Sequence, residues 1–410
     1  MISEVDKRAL ALHKRLRGKI GIHVKGSLDS QDDLKLMYTP GVAAVSKRVA
    51  EDADSVHDLT WKSNSVAVVS DGSRVLGLGD IGPLGAMPVM EGKAALYNRF
   101  AAIDAVPICT NTRTAAELIS VVRAISPSFG GINLEDIDSP KCFEVDATLA
   151  RSLDIPVFHD DQHGTAVVTL AAIHNSLLLT GRKLPESSFV VNGAGAAGVA
   201  ITKLLLTAGA NHIVCLDSKG IISQNRKLAP EKQKIAKLTG VHDTGTLDDA
   251  MKGADVFIGV SAPNAVTGKQ VRSMSPQPVI LALANPVPEI SPDKALRSGA
   301  AIVGTGSSLY DNQVNNVSSF PGIMRGLLDT RAKRLNNEIK LAAARAIAGC
   351  ITPSRRMIIP KPTDDRVCPA VARAVAKASA ASGVARVRMR NLNEYETAVR
   401  ERVRRNRQKV

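Results

Sequence analysis

The chain alternates short apolar runs with longer segments of helical spacing. Four runs precede residue 160, at 65–69, 106–109, 132–134 and 155–158. Five more follow, at 188–192, 212–216, 255–260, 278–284 and 301–304. Strands that alternate with helices are typical of parallel sheets covered by helices, so the pattern predicts an α/β fold.

Helices are predicted from apolar spacing and composition, mostly between the predicted strands. They cover residues 4–18, 93–105, 114–125, 140–153, 163–180, 197–208, 323–349 and 368–382. Residues 352–366 contain three prolines and are predicted to form a loop.

Composition places the chain among ordinary globular proteins, with 44% hydrophobic and 22% charged residues. Its five cysteines lie far apart without a C-x-x-C pair, which favours a reducing compartment over a disulfide framework. No apolar run approaches the roughly 18 residues of a membrane span, and the first residues lack an apolar signal-peptide core. We therefore expect a cytoplasmic protein without a membrane partner.

The formal net charge of +14 raises the alternative of a nucleic-acid-binding or scaffold protein. The excess is concentrated at the ends. Residues 1–25 contain seven Lys or Arg and two acidic residues. Residues 386–410 contain nine Lys or Arg and three acidic residues. Aromatic residues are only 3% of the chain, too few for platforms on which bases stack. A nucleic-acid partner is therefore not expected for the main function.

A glycine-rich loop follows the fifth predicted strand. Residues 193–198 have the sequence GAGAAG, which is G-x-G-x-x-G, and they open an apolar helix. Gly193 permits the tight turn, Gly195 lets backbone N–H groups approach a pyrophosphate, and Gly198 allows close packing of helix and strand. Asp217 ends the next strand, where it can accept hydrogen bonds from an adenosine ribose. The pattern predicts a dinucleotide site, with a glycine-rich turn that binds nothing as the alternative.

The choice between NAD and NADP stays open at this point. Asp217 favours NAD because its charge would repel a 2′-phosphate. Six neighbouring polar or basic residues offer possible contacts to such a phosphate: Ser218, Lys219, Arg226, Lys227, Lys232 and Lys234.

A second G-x-G-x-x-G sequence, GLGDIG at residues 77–82, is rejected as a nucleotide site. Pro83, Gly85 and Pro88 follow it, so no helix is expected to begin there, and Asp80 would repel a phosphate.

Two acidic pairs end short apolar runs, Glu135-Asp136 and Asp160-Asp161. Carboxylates at strand ends meet in the crevice where α/β sheets bind ligands, and such oxygens suit Mg²⁺ or Mn²⁺. Helix capping is the alternative for each pair. His159 and His163 bracket the second pair, but no glutamate base lies between them, so a zinc site is not favoured.

Lys93 and Tyr38 are the candidate proton-transfer residues. Lys93 is flanked by Gly92 and Ala94 at the entry to an apolar helix, where desolvation would lower its pKa and make it a general base. Tyr38 lies beside a Pro-Gly turn. From the residues alone, a solvent-facing lysine and a packed aromatic side chain remain open alternatives.

Several motifs occur together and in order. They are YTPGVA at 38–43, SDGSRVLGLGD at 70–80, EGK at 91–93, NLED at 133–136, FHDDQHGTA at 158–166, ANP at 284–286, NNV at 315–317 and FPG at 320–322. Together with the dinucleotide loop they resemble the malic enzymes, specifically their short bacterial and archaeal form, over roughly residues 20–385.

The resemblance implies a role for each matching residue. Glu135, Asp136 and Asp161 would be the metal ligands, Lys93 the general base and Tyr38 the general acid, with Asp160 holding Lys93 in position. Arg74, Asn285 and Asn316 would bind substrate, although Arg74 is absent from many short forms. The implied cofactor contacts are Thr165, Gly193, Ala194, Gly195, Ala196, Ala197, Gly198, Asp217 and Asn285.

The resemblance also implies the domain organisation and the reaction. An N-terminal domain for substrate and dimerisation would span residues 1–155, a doubly wound Rossmann-type NAD(P)-binding domain with C-terminal helices 156–385, and a basic tail or helix 386–410. L-malate would be oxidised through oxaloacetate to pyruvate and CO₂ with NAD or NADP and Mg²⁺ or Mn²⁺, in a homodimer. A metal-dependent oxaloacetate decarboxylase with weak dehydrogenase activity is the alternative.

Overall fold

Two largely parallel β-sheets form the framework of the protein in residues 4–408, the part of the chain that this computed structural model describes. The strands of the first sheet are β1 (Ser65–Ser70), β2 (Asp104–Cys109), β3 (Gly131–Leu134) and β4 (Val157–His159). Their order is β2-β1-β3-β4, and every neighbouring pair is parallel. Every residue of β1 is buried, as expected for a central strand covered on both faces.

The second sheet has six strands. They are β5 (Ser188–Asn192), β6 (His212–Asp217), β7 (Gly220–Ile221), β8 (Val256–Gly259), β9 (Val279–Ala282) and β10 (Ile302–Thr305). The order is β10-β9-β8-β5-β6-β7, with only β7 antiparallel to its neighbour. The order reverses on either side of β5, which makes this a doubly wound Rossmann-type sheet and confirms the predicted fold class.

Helices occupy the connections between strands and both ends of the described chain. Up to the second sheet they are α1 (Glu4–Leu16), α2 (Gln31–Met37), α3 (Val42–Glu51), α4 (Val56–Leu59), α5 (Gly82–Ala101), α6 (Ala115–Ile125), α7 (Lys141–Ser152) and α8 (Thr165–Thr180). The remainder are α9 (Ala196–Ala208), α10 (Pro230–Thr239), α11 (Leu247–Met251), α12 (Gly268–Ser273), α13 (Pro292–Arg297), α14 (Phe320–Asp329), α15 (Asn337–Ala348), α16 (Val367–Ala381) and α17 (Leu392–Arg407). No helix in residues 4–408 combines the length and the apolar character that crossing a bilayer requires.

Two helix predictions differ from the structure. Residues 323–349 form two helices, α14 and α15, because the intervening segment carries a polar N-cap, Asn336, that starts α15. Helix α5 begins at Gly82, the last residue of the second glycine motif, although no helix was expected there. Pro83 occupies its first turn, where a missing N–H costs nothing, so the argument from Pro83 was wrong.

The first sheet extends past the predicted domain boundary at residue 155. Strand β4, at Val157–His159, pairs with β3 and is therefore part of the first sheet. The long helix α8 then leads from this sheet toward the second one, and eleven of its sixteen residues are buried. The domain limits themselves remain a prediction.

Close helix packing joins the C-terminal helices to the rest of the core. Gly322 and Gly326 of α14 face Val371 and Val375 of α16, and a Cβ atom on either glycine would lie 2.7 Å from the facing valine side chain. The two glycines therefore allow α14 and α16 to approach more closely than larger residues would permit.

The basic C-terminal segment packs on the body and does not form a solvated tail. Tyr395, Val399 and Val403 of α17 are buried. The Tyr395 hydroxyl donates to Asp329 at 2.8 Å, and Arg402 pairs with the same carboxylate at 2.9 Å. Residues 409–410 of the predicted tail lie outside the described residues.

Replacing Asp329 with asparagine is expected to destabilise the protein by about 3–5 kcal/mol. Asp329 accepts two hydrogen bonds from Arg325, whose side chain is 1% exposed, and those contacts hold the pKa of Asp329 low although burial would raise it. Removing the charge leaves a buried guanidinium without its charged partner, with only neutral acceptors such as Asn64. Thermal unfolding would measure the effect. Glu401→Gln, on the exposed face of α17, is the control and should change stability by under about 0.5 kcal/mol; equal effects would contradict the argument.

Candidate active site

A cleft of about 2120 Å³ lies between the two sheets. It is lined by the segments that follow β3 and β4 in the first sheet and by those that follow β5, β8 and β9 in the second. Carboxyl ends of parallel strands meet at one edge of a sheet, and ligands of open α/β sheets bind in the crevice outside that edge. Both sheets thus direct their polar loops into one space.

Three carboxylates form a cluster on the side of the first sheet. Glu135 and Asp136 follow β3, and Asp161 lies in the single π-helical turn Asp160–Gly164 that follows β4. One oxygen of each lies within 4.8 Å of the others, and the backbone N–H of Asp136 donates to Asp161 at 2.9 Å. The backbone of Asp136 has a φ of 54°, in the left-handed region, which is strained for a residue other than glycine.

The cluster holds more negative charge than its surroundings compensate. Burial, Asp161 and Glu135 raise the pKa of Asp136 to about 8, and burial with Asp160 raises the pKa of Asp161 to about 6. Burial also raises the pKa of Glu135. Asp136 Oδ2 is buried and has no hydrogen-bond partner among the described residues. Three convergent, under-compensated carboxylates fit a hard divalent cation such as Mg²⁺ or Mn²⁺.

Lys93 of α5 lies beside this cluster and is 7% exposed. Its Nζ contacts Asp160 and lies 2.8 Å from Glu135 and 4.2 Å from the centre of the Phe320 ring. Burial alone would lower the pKa of Lys93, but the two carboxylates outweigh it and raise the pKa. The expectation that the pKa of Lys93 is lowered was therefore wrong for the protein without bound metal or substrate. The prediction of a desolvated position is confirmed.

Asp160 contacts two residues that line the cleft, Lys93 of α5 and Asn316, which follows β10. It is fully buried, contacts Lys93, and accepts a hydrogen bond from Asn316 at 2.5 Å. Burial, only partly offset by Lys93, raises its pKa to about 7. A Cβ atom at Gly164 would lie 1.8 Å from Asp160 Oδ1, so the carboxylate occupies space that only glycine leaves free.

Two further side chains, which sequence reasoning missed, support this arrangement. The Tyr97 hydroxyl donates to Asn133 at 2.8 Å, and Asn133 in turn donates to Glu135 at 2.9 Å. Tyr97 lies four residues after Lys93 on α5, and this helical spacing was the one signal in the sequence that could have identified it. The chain of hydrogen bonds fixes one carboxylate of the cluster.

The dinucleotide loop lines the opposite side of the cleft. It joins β5 to α9, as predicted. Gly193 has a φ of 123°, and a Cβ atom there would lie 2.4 Å from the Val260 carbonyl. A Cβ atom at Gly198 would lie 1.7 Å from the Gly193 carbonyl, whereas nothing lies within 4 Å of one at Gly195. The first and third glycines serve packing, and the second leaves open space for a ligand.

Asp217 ends β6 and faces the same cleft, where two basic side chains hold it. Its carboxylate accepts from Arg226 at 3.0 Å and from Lys232 at 2.7 Å. Although burial opposes it, these hydrogen bonds and one from the Lys219 backbone lower the pKa of Asp217. The carboxylate is thus ionised and partly neutralised at the position predicted for ribose recognition.

Most of the remaining predicted site residues also reach the cleft. Its lining includes Arg74, Thr165, Asn285 and Asn316. The rejected second glycine motif contributes to the lining too, through its loop and not through a helix N-terminus. His159 and His163 take no part in the metal-ligand cluster found in residues 4–408.

Tyr38 is the exception. Its side chain is 70% exposed, and it does not line the cleft of its own chain in the described structure. It follows α2 in an N-terminal segment whose helices α1, α2 and α3 contain no buried residue. Lys19 does line the cleft, and its backbone N–H donates to Glu91 of α5 at 3.2 Å.

Two family models match the chain. The model described as malic enzyme, NAD binding domain, matches residues 162–381, and the one described as malic enzyme, N-terminal domain, matches residues 17–118. The first match covers more than half of the 410 residues.

Individual proteins are similar over nearly the whole chain. The bifunctional malic/malolactic enzyme of Bacillus subtilis is 50% identical over 387 residues, 93% of this chain and 94% of that protein. An NAD-dependent malic enzyme of Geobacillus stearothermophilus is 49% identical over 94% of this chain and 81% of its own length. The solved malic enzyme structure from Pyrococcus horikoshii has a TM-score of 0.95 at 43% identity, covering 98% of this chain and 97% of that one.

Matches of this extent involve both sheets and the cleft between them, and they agree with the motifs along the chain. The chain therefore belongs to the malic enzyme family.

Proposed function

We propose that this chain catalyses the oxidative decarboxylation of L-malate to pyruvate and CO₂, with reduction of NAD or NADP. The observation that carries the proposal is one cleft that joins a buried lysine and a carboxylate cluster to a dinucleotide loop. A proton acceptor, a site for a divalent cation and a site for a hydride acceptor are the three parts that such a reaction needs.

A decarboxylase with little dehydrogenase activity is not favoured, because it would not need the dinucleotide side of the cleft. An assay of malate with Mn²⁺ and each cofactor tests the proposal. Reduced nicotinamide should form in proportion to pyruvate. Pyruvate from oxaloacetate without any reduction of cofactor by malate would overturn it.

We propose that Lys93 is the general base. Its Nζ would take the proton of the C2 hydroxyl as hydride leaves C2 for the nicotinamide. Asp160 contacts Nζ and orients the amine. Because burial raises the pKa of Asp160 to about 7, its carboxylate can share a proton with Lys93. Phe320 packs over Nζ and excludes water from it.

Glu135, Asp136 and Asp161 are proposed to hold Mg²⁺ or Mn²⁺. A divalent cation there would supply positive charge that stabilises negative charge developing on the substrate and would lower the pKa of Lys93. Arg74 is proposed to bind a malate carboxylate, with Asn285 and Asn316 as amide contacts to substrate and nicotinamide. Thr165 and residues 193–198 are proposed to contact the cofactor.

Replacing Asp217 with alanine is expected to lower kcat/KM with NAD by about tenfold, the effect of losing a hydrogen bond to a charged group. With NADP the loss should be smaller, because Arg226 and Lys232 are then free to meet a 2′-phosphate. Steady-state kinetics with both cofactors measures the difference. Asp243→Ala, at an exposed position of the same domain, is the control. Equal losses with both cofactors would contradict a ribose contact.

A homodimer is proposed from the exposed apolar side chains of the N-terminal segment. Large apolar residues there are exposed by 38% or more, among them Val5, Leu10, Leu12, Leu16, Ile22, Val24, Leu36, Met37 and Val42. Patches of this kind mark interaction surfaces. A second copy of the chain is the proposed occupant, and Tyr38 within the same segment would donate the proton to C3 of enolpyruvate in the cleft of the partner.

Mixing two inactive variants should restore activity if Tyr38 acts across the dimer. When Tyr38→Phe and Lys93→Ala are coexpressed, each heterodimer has one intact cleft of its two. Random pairing makes about half of the dimers heterodimers, so about one quarter of the wild-type activity is expected. Activity of the mixture and its mass by light scattering are the measurements. Failure of heterodimers to gain activity would mean that Tyr38 serves its own cleft or none.

A further inference from the structure

A second cavity, of about 440 Å³, lies at the amino ends of strands of the first sheet, whereas the catalytic cleft lies at their carboxyl ends. Its lining includes residues just before β1, β3 and β4, whereas the cleft is lined by residues that follow the strands. No lining residue is common to the two. Residues after α14 close the cavity on the side of the C-terminal helices.

Four basic side chains line this cavity: His57, Lys62, Arg331 and Arg386. Two acidic residues also line it, and each pairs with an arginine, Asp54 with Arg331 at 2.8 Å and Asp154 with Arg386. Both acidic side chains are 79% exposed, while the two arginines are 20% and 27% exposed. The acids therefore lie toward solvent, and positive charge prevails inside.

Buried polar atoms of the cavity lining lack partners. His57 Nδ1 and Arg331 Nε are buried without a hydrogen bond to any described residue. Burial and, after it, the charges of Arg331 and Lys62 lower the pKa of His57, while Asp54 opposes the shift. Lys62 is held in place by three carbonyls, those of Ser126, Pro127 and Phe129, so it adds charge from a fixed position.

We propose that this cavity binds a small multivalent oxyanion, either a di- or tricarboxylate or a phosphate ester. Arginine recognises carboxylate and phosphate oxygens through the same planar fork of donors. The volume is within the range of about 300–1,000 Å³ that is usual for small-molecule sites.

The position of the cavity links it to the active site. Leu328 lies near the C-terminal end of α14, and Arg331 follows that helix. The same helix begins at Phe320, which contacts Lys93. Phe320 holds the N-terminal end of α14 against Lys93. An anion bound between Arg331 and the first sheet would hold the C-terminal end of the same helix.

Binding can be tested by calorimetry on the full chain without divalent cation. The probes are tricarballylate for the carboxylate class and glycerol 2-phosphate for the phosphate class. Arg331→Met should weaken binding of the preferred probe by about tenfold or more, the effect expected for a charged hydrogen-bonding partner. Asp54→Asn, which removes the internal competitor for Arg331, should strengthen it. Arg388→Met, an exposed arginine outside the cavity, is the matched control and should leave it unchanged.

Binding of either probe with this pattern of variants supports the proposal, and the tighter probe identifies the ligand class. Absence of binding by both probes would overturn it. Binding that Arg331→Met and Asp54→Asn leave unchanged but NADP displaces would also overturn it, because the probe would then occupy the cofactor side of the cleft. The readout does not depend on turnover, so the result is independent of the proposed reaction.

Discussion

Replacing Lys93 with alanine is expected to abolish malate oxidation while leaving NAD and NADP binding intact. A positioned general base contributes about 10²–10⁴-fold to a rate, and Lys93 is the basic group in contact with Asp160 and Glu135. The dinucleotide loop lies on the other sheet and does not depend on its side chain. Steady-state kinetics gives the loss of kcat, and cofactor fluorescence titration gives the binding constant.

Lys141→Ala is the matched control for this variant. Lys141 is also a lysine held by two carboxylates, Asp71 at 2.6 Å and Asp138 at 2.9 Å, but it does not line the cleft. Its replacement should leave most of kcat in place. Loss of cofactor binding in Lys93→Ala, or an equal loss of kcat in both variants, would mean that Lys93 supports the structure and does not act as the base.

Replacing Asp161 with asparagine is expected to weaken Mn²⁺ binding at least about 100-fold, since even the outer partners of a metal site are worth 10–100-fold. Asp161 supplies one of three clustered oxygens and also accepts the Asp136 backbone N–H. Its loss removes a ligand charge and loosens the neighbouring ligand. The paramagnetic resonance signal of free Mn²⁺ measures the binding directly, and kcat/KM for malate should fall with it.

Glu144→Gln controls for the general loss of negative charge in the cleft. Glu144 lines the same cleft but stands outside the carboxylate cluster. Its replacement should change Mn²⁺ affinity only slightly, through long-range electrostatics. Unchanged Mn²⁺ binding in Asp161→Asn would remove Asp161 from the proposed ligand set.

Local sequence signals were sufficient for the framework. β-branched runs at the strand positions, the three spaced glycines after β5 and Asp217 at the end of β6 all depend on residues close together in sequence. The strand at 188–192 was predicted with its observed limits, and most others within two residues. The dinucleotide loop could be predicted because its turn, helix start and ribose acceptor are consecutive features of one βαβ unit.

Tertiary structure decided what distant residues do together. The raised pKa of Lys93 depends on Asp160, 67 positions later, and Asp160 in turn meets Asn316, 156 positions beyond it. Exposure of Tyr38, the packing of α17 and the cationic cavity around Arg331 likewise depend on segments that the sequence does not bring together. The sequence by itself determined the elements and the chemical groups, because propensity and motif spacing are local. Their burial, pairing and charge balance came only from folding, because electrostatic energies depend on distances in space.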